Sequence, residues 1–167
     1  MELVSRMMDG SFPYDIGVLP EAGEPGPLRR DAKIDRLQEI PIFQACTRRQ
    51  LVALALITEV VETAAGKELA RAGEAGQEFF LIVDGTARVE VTEKKQLQLG
   101  PGAFFGEMSL LDGGPRSATV VAQTPLRLLV INRRNFYTLL ADFPDLTLNL
   151  LEVLSKRVRQ AERALNP

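Results

Sequence analysis

Histidine is missing from this chain altogether. That removes the usual general base and the commonest metal ligand, and with them a Ser-His-Asp triad, a Cys-His pair and every His-containing zinc site. Cys46 is the only cysteine, so no intrachain disulfide can form and nothing points to an oxidising compartment. No excess of positive charge exists either. Lys and Arg total 20 against 22 Asp and Glu, a net charge of −2, so no overall basic field draws the chain to nucleic acid, and direct DNA binding is not expected. No uninterrupted apolar run approaches membrane-spanning length, and membrane insertion is not expected. The opening Met1-Glu2-Leu3-Val4-Ser5-Arg6 lacks the basic region and long apolar run of a signal peptide,. The expected location is cytoplasmic.

What is present suits one globular domain with a tail. The 167 residues are 46% hydrophobic and 25% charged, enough for one real core and too few for two ordinary domains. Residues 1–30 read as a flexible leader, because Gly17 to Pro27 is rich in Pro and Gly and has no period. Met7, Met8, Phe12 and Tyr14 before it are candidates to dock on the domain or on a partner. Residues 31–167 read as the folded domain. Ile34, Leu37 and Ile40 recur at helical spacing up to Pro41, and Ile42 and Phe43 are expected in the core. Thr47 then looks like the N-cap of a helix over residues 48–58, with Leu51, Leu54, Ala55 and Ile57 facing inward.

The period changes after that. Short apolar runs at residues 60–64, 68–70, 78–83, 86–92 and 96–99 are punctuated by glycines, and Ala87, Val89 and Val91 alternate with Arg88 and Glu90 as on a half-buried strand. Asp84-Gly85 between two runs predicts a hairpin. Residues 119–122 and 126–131 supply two further strands. The fold class expected is α+β and mainly β: an antiparallel β-roll or jelly-roll barrel, flanked by N-terminal helices and a long C-terminal helix. After a short helix over 133–140, Pro144 is suited to start that last helix, and Leu150, Leu154, Val158, Ala161 and Leu165 form its apolar stripe.

The candidate site is the stretch from Phe104 to Val120. Gly106 permits close backbone approach and Glu107 supplies one carboxylate. A short helical turn with Met108 and Ser109 follows, then a Gly113-Gly114-Pro115 bend, then Arg116, Ser117 and Ala118. Backbone N–H groups at a helix start favour an anion, and an arginine fork suits phosphate oxygens. A carboxylate can only accept, so Glu107 suits a sugar hydroxyl and repels a phosphate. Singly, these residues have plainer readings: Gly106 as a turn, Glu107 as a solvated carboxylate, Arg116 as an ion-pair partner of Glu107 or Asp112.

Together, Phe-Gly-Glu-Met-Ser-Leu-Leu, a four-residue loop and Arg-Ser-Ala-Thr-Val resemble the phosphate-binding cassette of cyclic nucleotide-binding domains. The similarity runs from about Ile40 to about Arg163. The resemblance implies that Glu107 accepts the ribose 2′-hydroxyl and that Arg116 pairs with the cyclic phosphate. It further implies that Ser117 donates a hydroxyl, and that backbone N–H groups around Gly106, Met108 and Ala118 complete the cradle. Val89 and Leu97 are candidates to line the base pocket, although aliphatics on barrel strands are more often core. Ser117 favours cyclic AMP over cyclic GMP, since some relatives that prefer cyclic GMP carry threonine there. A residue of the final helix covers the base in the family, and Arg159, Ala161 and Glu162 are the candidates.

The function expected is a regulatory sensor that holds cyclic AMP, with cyclic GMP as the alternative ligand, and needs no cofactor. No catalysis is expected, because hydrolysis of a phosphodiester needs an activated water and no metal-ligand cluster is visible to supply one. Movement of the last helix would be relayed to an unknown effector protein or to a second copy of the chain through that helix. The sequence ends two residues after the helix, so no DNA-reading helix-turn-helix is expected to follow. Two rivals keep the fold: a protein-interaction module without nucleotide, and the sensor piece of a larger channel or enzyme.

Overall fold

The structure, a computed structural model, describes residues 30–91 and 94–166. Most of the expected leader, with Met7, Met8, Phe12 and Tyr14, lies outside the described residues. Helix α1 (Arg30–Glu39) buries Ile34 and Leu37, and Ile40 follows them into the core. A 3-10 turn, Pro41–Phe43, inserts Ile42 and Phe43. Helix α2 (Arg48–Ile57) starts at a reciprocal cap: Gln50 N–H donates to Thr47 Oγ1 at 3.2 Å and Thr47 N–H donates to Gln50 Oε1 at 2.9 Å, satisfying two donors that a helix start otherwise leaves bare.

Eight strands follow among the described residues: β1 (Glu59–Thr63), β2 (Glu68–Ala70), β3 (Glu78–Asp84), β4 (Ala87–Glu90), β5 (Gln96–Leu99), β6 (Phe104–Phe105), β7 (Thr119–Ala122) and β8 (Leu126–Asn132). They form two four-stranded antiparallel sheets, ordered β1-β8-β3-β6 and β2-β7-β4-β5. The architecture is the mainly-β jelly roll that the strand spacing predicts,. Helix α3 (Glu107–Asp112) lies between β6 and β7, and α4 (Arg133–Asp142) and α5 (Pro144–Leu165) close the chain.

The Asp84-Gly85 hairpin is not found. β3 pairs with β6 and β8, whereas β4 pairs with β5 and β7, so Asp84-Gly85 is the corner where the chain crosses between sheets. Gly85 has φ +90°, and a Cβ there would lie 2.3 Å from the Pro125 carbonyl oxygen. The glycine is needed for a tight corner against Pro125, and only its partner strands distinguish that from a hairpin.

The first sheet carries a core on each face. Phe79, Leu81, Val83, Leu129 and Ile131 pack with the helices, while Phe80, Ile82, Leu128 and Val130 pack between the sheets. A strand covered on both faces reads as a continuous apolar run, which explains Phe79 to Val83. The stripe on α5 is used only in part: Leu150 is buried and Leu154 half-buried, whereas Val158 and Leu165 are exposed, as is Ala161. Among the described residues, no helix is long and apolar enough to cross a membrane.

Candidate functional site

Strand β6 delivers the chain to Gly106, whose φ of +92° is left-handed, a region open to glycine at little cost. Space demands glycine too: a Cβ would stand 2.6 Å from the Glu78 carbonyl oxygen and 2.7 Å from Arg116 Nη1. Glu107 opens α3, and Gly113, at φ +71°, ends it by donating its N–H to the Ser109 carbonyl at 3.1 Å. Gly114 N–H then donates to Asp112 Oδ1 at 2.8 Å, shaping the bend before Pro115.

Arg116 is built in on every side. Its backbone N–H donates to the Glu74 carbonyl at 2.7 Å, and its own carbonyl accepts from Gly73 N–H at 2.9 Å. Nη1 donates to the Gly106 carbonyl at 3.1 Å, and Nη2 donates to the Glu78 carbonyl at 3.1 Å. Nη2 also meets Glu78 Oε2 at 3.3 Å, and the guanidinium lies 5.6 Å from the Phe80 ring centre. A Cβ on Gly76 would sit 2.0 Å from Arg116 Nε. Two glycines therefore form the walls of the arginine's berth. It forms an ion pair with Glu78, 38 positions away, a partner that the plainer reading of Arg116, which named Glu107 or Asp112, did not include.

Glu107 is 3% exposed, and its Oε1 accepts from Arg157 Nη1 of α5 at 2.6 Å. Arg157 Nη2 also donates to the Phe104 carbonyl at 3.2 Å, and the guanidinium lies 4.6 Å from the Phe104 ring centre. One arginine thus ties the last helix to the strand and the carboxylate that frame the cassette. Tyr137 of α4 adds a second tie by donating its hydroxyl to the Leu110 carbonyl at the end of α3.

Both buried carboxyls are held above the ordinary range. Burial pushes Glu107 up, and Arg157 and Arg116 pull it only part of the way back. Burial likewise raises Glu78 against the opposing pull of Arg116. Taking the charge out of water outweighs pairing at each, as expected where desolvation of an ion exceeds its Coulombic return. Among the described residues, no group of three or more Cys, Asp or Glu side chains is placed to hold a metal.

The structure brings Gly106, Glu107 and Arg116 together. Ser109 is buried within α3, Met108 is exposed, and the exposed Ser117 hydroxyl is 3.7 Å from Met108 Sδ. Ala118 is half-buried just before β7. Val89 and Leu97 stand opposite each other in the β4–β5 ladder, with Val89 also opposite Val120 on β7; Val89 is half-buried and Leu97 exposed. Arg159, Ala161 and Glu162 are all exposed.

Two residues were missed by reading the sequence. Glu78 carried a signal, since a carboxylate heading a strand buried on both faces needs a counter-charge. Arg157 carried one as well: it lies seven residues after Leu150 and three after Leu154, on the inward face of the same helix.

Comparison with known proteins agrees with this geometry. The family model described as the cyclic nucleotide-binding domain matches residues 60–143. The chain is 38% identical over 107 residues to a cyclic nucleotide-gated potassium channel of Mesorhizobium japonicum, covering 64% of this chain and 30% of the channel. It is 38% identical over 106 residues to the cyclic AMP receptor protein of Thermus thermophilus, covering 60% of this chain and 49% of the relative. The crystal structure of the Thermus thermophilus catabolite activator protein superposes with a TM-score of 0.69 at 30% identity, covering 75% of this chain and 62% of that one. The chain thus spans half or less of the two curated relatives' own lengths. A two-sheet roll with its glycine-walled arginine and buried cassette carboxylate, matched over residues 60–143, belongs to the cyclic nucleotide-binding domain family.

Proposed function

We propose that residues 31–167 form a sensor domain that binds cyclic AMP and passes its arrival to α5. Arg116 pairs with the cyclic phosphate, and Glu107 accepts the ribose 2′-hydroxyl. The backbone N–H groups around Gly106, Met108 and Ala118, with the Ser117 hydroxyl, complete the cradle. Val89 and Leu97 flank the base. The nucleotide is held unchanged: among the described residues no cluster of three or more Cys, Asp or Glu is placed to hold a metal that could activate a water,.

The observation that carries the reading is the 2.6 Å contact between Arg157 and Glu107. A ligand hydroxyl arriving at Glu107 must either share that carboxylate with Arg157 or displace it. In both cases the free energy of binding is coupled to the position of α5. The helix then carries the change to an effector protein or to a second copy of the chain.

The test is titration of the purified chain with cyclic AMP and cyclic GMP, followed by amide chemical shifts. Saturable binding with shifts along α5 supports the relay. Shifts confined to residues 104–120 would remove it. A second reading, a protein-interaction module of the same fold, is favoured by one observation: Arg116 and Glu107 are already engaged by the protein's own groups. Thermal unfolding separates the two. Ligand at about a hundred times its dissociation constant adds about 2.7 kcal/mol of stability, and no shift with either nucleotide leaves the second reading standing.

A further inference from the structure

The buried carboxyl behind Arg116 has no part in the roles given so far. Glu78 is 2% exposed at the head of β3. Alternation along the strand turns it to the same side as Phe80 and Ile82, towards the space between the sheets,. Its Oε2 faces Arg116 Nη2 at 3.3 Å, and the Gln77 N–H donates to the same oxygen at 3.4 Å. Among the described residues, Glu78 Oε1 is a buried side-chain oxygen with no hydrogen-bond partner. An orphaned buried acceptor costs free energy that a carboxyl can reduce by taking up a proton.

Among the described residues around it, Arg116 supplies the counter-charge. Across the ladder it stands opposite Asn132, and the next residue, Arg133, lays its guanidinium over the Tyr137 ring at 5.5 Å. Glu107, from α3, is drawn by the same Arg116 and is itself held by Arg157 of α5. Among the described residues, the guanidinium that pairs with Glu78 is the one that also draws on Glu107. A cyclic phosphate brings one further negative charge to that guanidinium, and two anions sharing one cation raise each other's affinity for a proton.

We propose that Glu78 positions Arg116 in the unliganded chain and takes up a proton from solvent when a cyclic nucleotide's phosphate binds, so that the arginine's charge passes from the carboxylate to the phosphate. The exchange balances. One proton moves from the buffer to the carboxylate, which becomes neutral, while the phosphate monoanion enters without leaving a second bare charge in the cavity. Burial already holds this carboxyl above its ordinary value, and the arriving anion pushes in the same direction. Affinity should then rise as pH falls through the range where this carboxyl titrates, even in a chain without histidine. This inference rests on the nucleotide-binding reading, and its test fails separately from that reading.

The experiment is titration calorimetry with cyclic AMP at a series of pH values from about 5 to 8, each in two buffers of differing ionisation enthalpy, such as MES and imidazole. The slope of binding enthalpy against buffer enthalpy counts protons taken up. The wild-type chain should take up protons on binding within that range, and Glu78→Gln should bring the slope close to zero. A zero slope in the wild type, or an unchanged slope in Glu78→Gln, would overturn the proposal, the latter by placing the proton on Glu107 or elsewhere. Absence of any binding heat or thermal shift with the wild type would instead remove the nucleotide reading. Should Glu78→Gln not fold, the side-chain carboxyl 13C resonance of Glu78 in the wild type gives the answer directly. Movement towards the neutral-acid position on saturation supports the uptake, and an unmoved resonance refutes it.

Discussion

Replacing Arg157 with methionine keeps an apolar stem against Phe104 and removes the guanidinium that reaches the cassette. The cost can be bracketed. Breaking a fully buried pair by removing one partner costs about 3–5 kcal/mol, whereas exposed pairs contribute about 0.2–1 kcal/mol. Here one partner is buried and the other is not: the Glu107 side chain is 4% exposed and that of Arg157 is 41% exposed. Solvent screens the arginine side, so Arg157→Met should cost about 2 kcal/mol of stability. At about 2–4 °C per kcal/mol for a domain of this size, that is a fall of about 4–8 °C in Tm. A double-mutant cycle with Glu107→Gln should return a coupling of about 1–2 kcal/mol. The coupling needs an ionised Glu107, so it should shrink as pH falls through that carboxyl's raised folded pKa. Denaturant unfolding of the four proteins at pH 7 and pH 4.5 measures it, with hydrogen exchange along residues 150–165 as the readout for the helix. A coupling below about 0.3 kcal/mol at pH 7, with exchange of α5 unchanged, would refute the claim that this contact ties the helix to the cassette.

Arg116→Ala should weaken cyclic AMP binding by about 3 kcal/mol by calorimetry, because the phosphate loses its counter-charge; near-wild-type affinity would place the anion elsewhere. Gly76→Ala puts a Cβ 2.0 Å from Arg116 Nε and should displace the guanidinium, with a loss in affinity of about tenfold or more and an unchanged far-ultraviolet circular dichroism spectrum. The two raised carboxyls set a pH dependence whose sign is definite. A carboxyl with a folded pKa above its unfolded value of 4.5 contributes stability that is fully present below that value and lost as pH rises through the folded pKa. Thermal unfolding of the unliganded chain against a Glu78→Gln/Glu107→Gln variant should therefore show the wild type's relative stability falling as pH rises from about 4.5 towards 8. A rising difference would mean that pairing outweighs burial at these sites.

The cassette was legible because it is contiguous. Its glycine, carboxylate and arginine lie within eleven residues, and the bends between them are written in Gly and Pro. Strands β2, β5 and β7 were legible to the residue, since glycine turns and short apolar runs bound them closely. What escaped were pairings across distance. Arg116 meets Glu78 across 38 positions and Glu107 meets Arg157 across 50, and no local period encodes such partners. The corner at Asp84-Gly85 failed for a related reason: the dipeptide specifies a turn, while sheet membership depends on strands elsewhere in the chain. On α5, amphipathic spacing marked a face but not where its cover ends, which is near Leu154.

Strand β3 carries one more consequence. With apolar side chains on both faces, its middle five residues would tolerate a slip of one position against β8, because each face would still receive large hydrophobic groups. The two ends forbid it. Glu78 must meet Arg116 at one end, and at the other Asp84 is caught between Arg36 and Arg127. Acidic bookends, rather than greasy alternation, therefore fix the alignment of the central strand. The same residue that would accept the proton also keeps the barrel in phase.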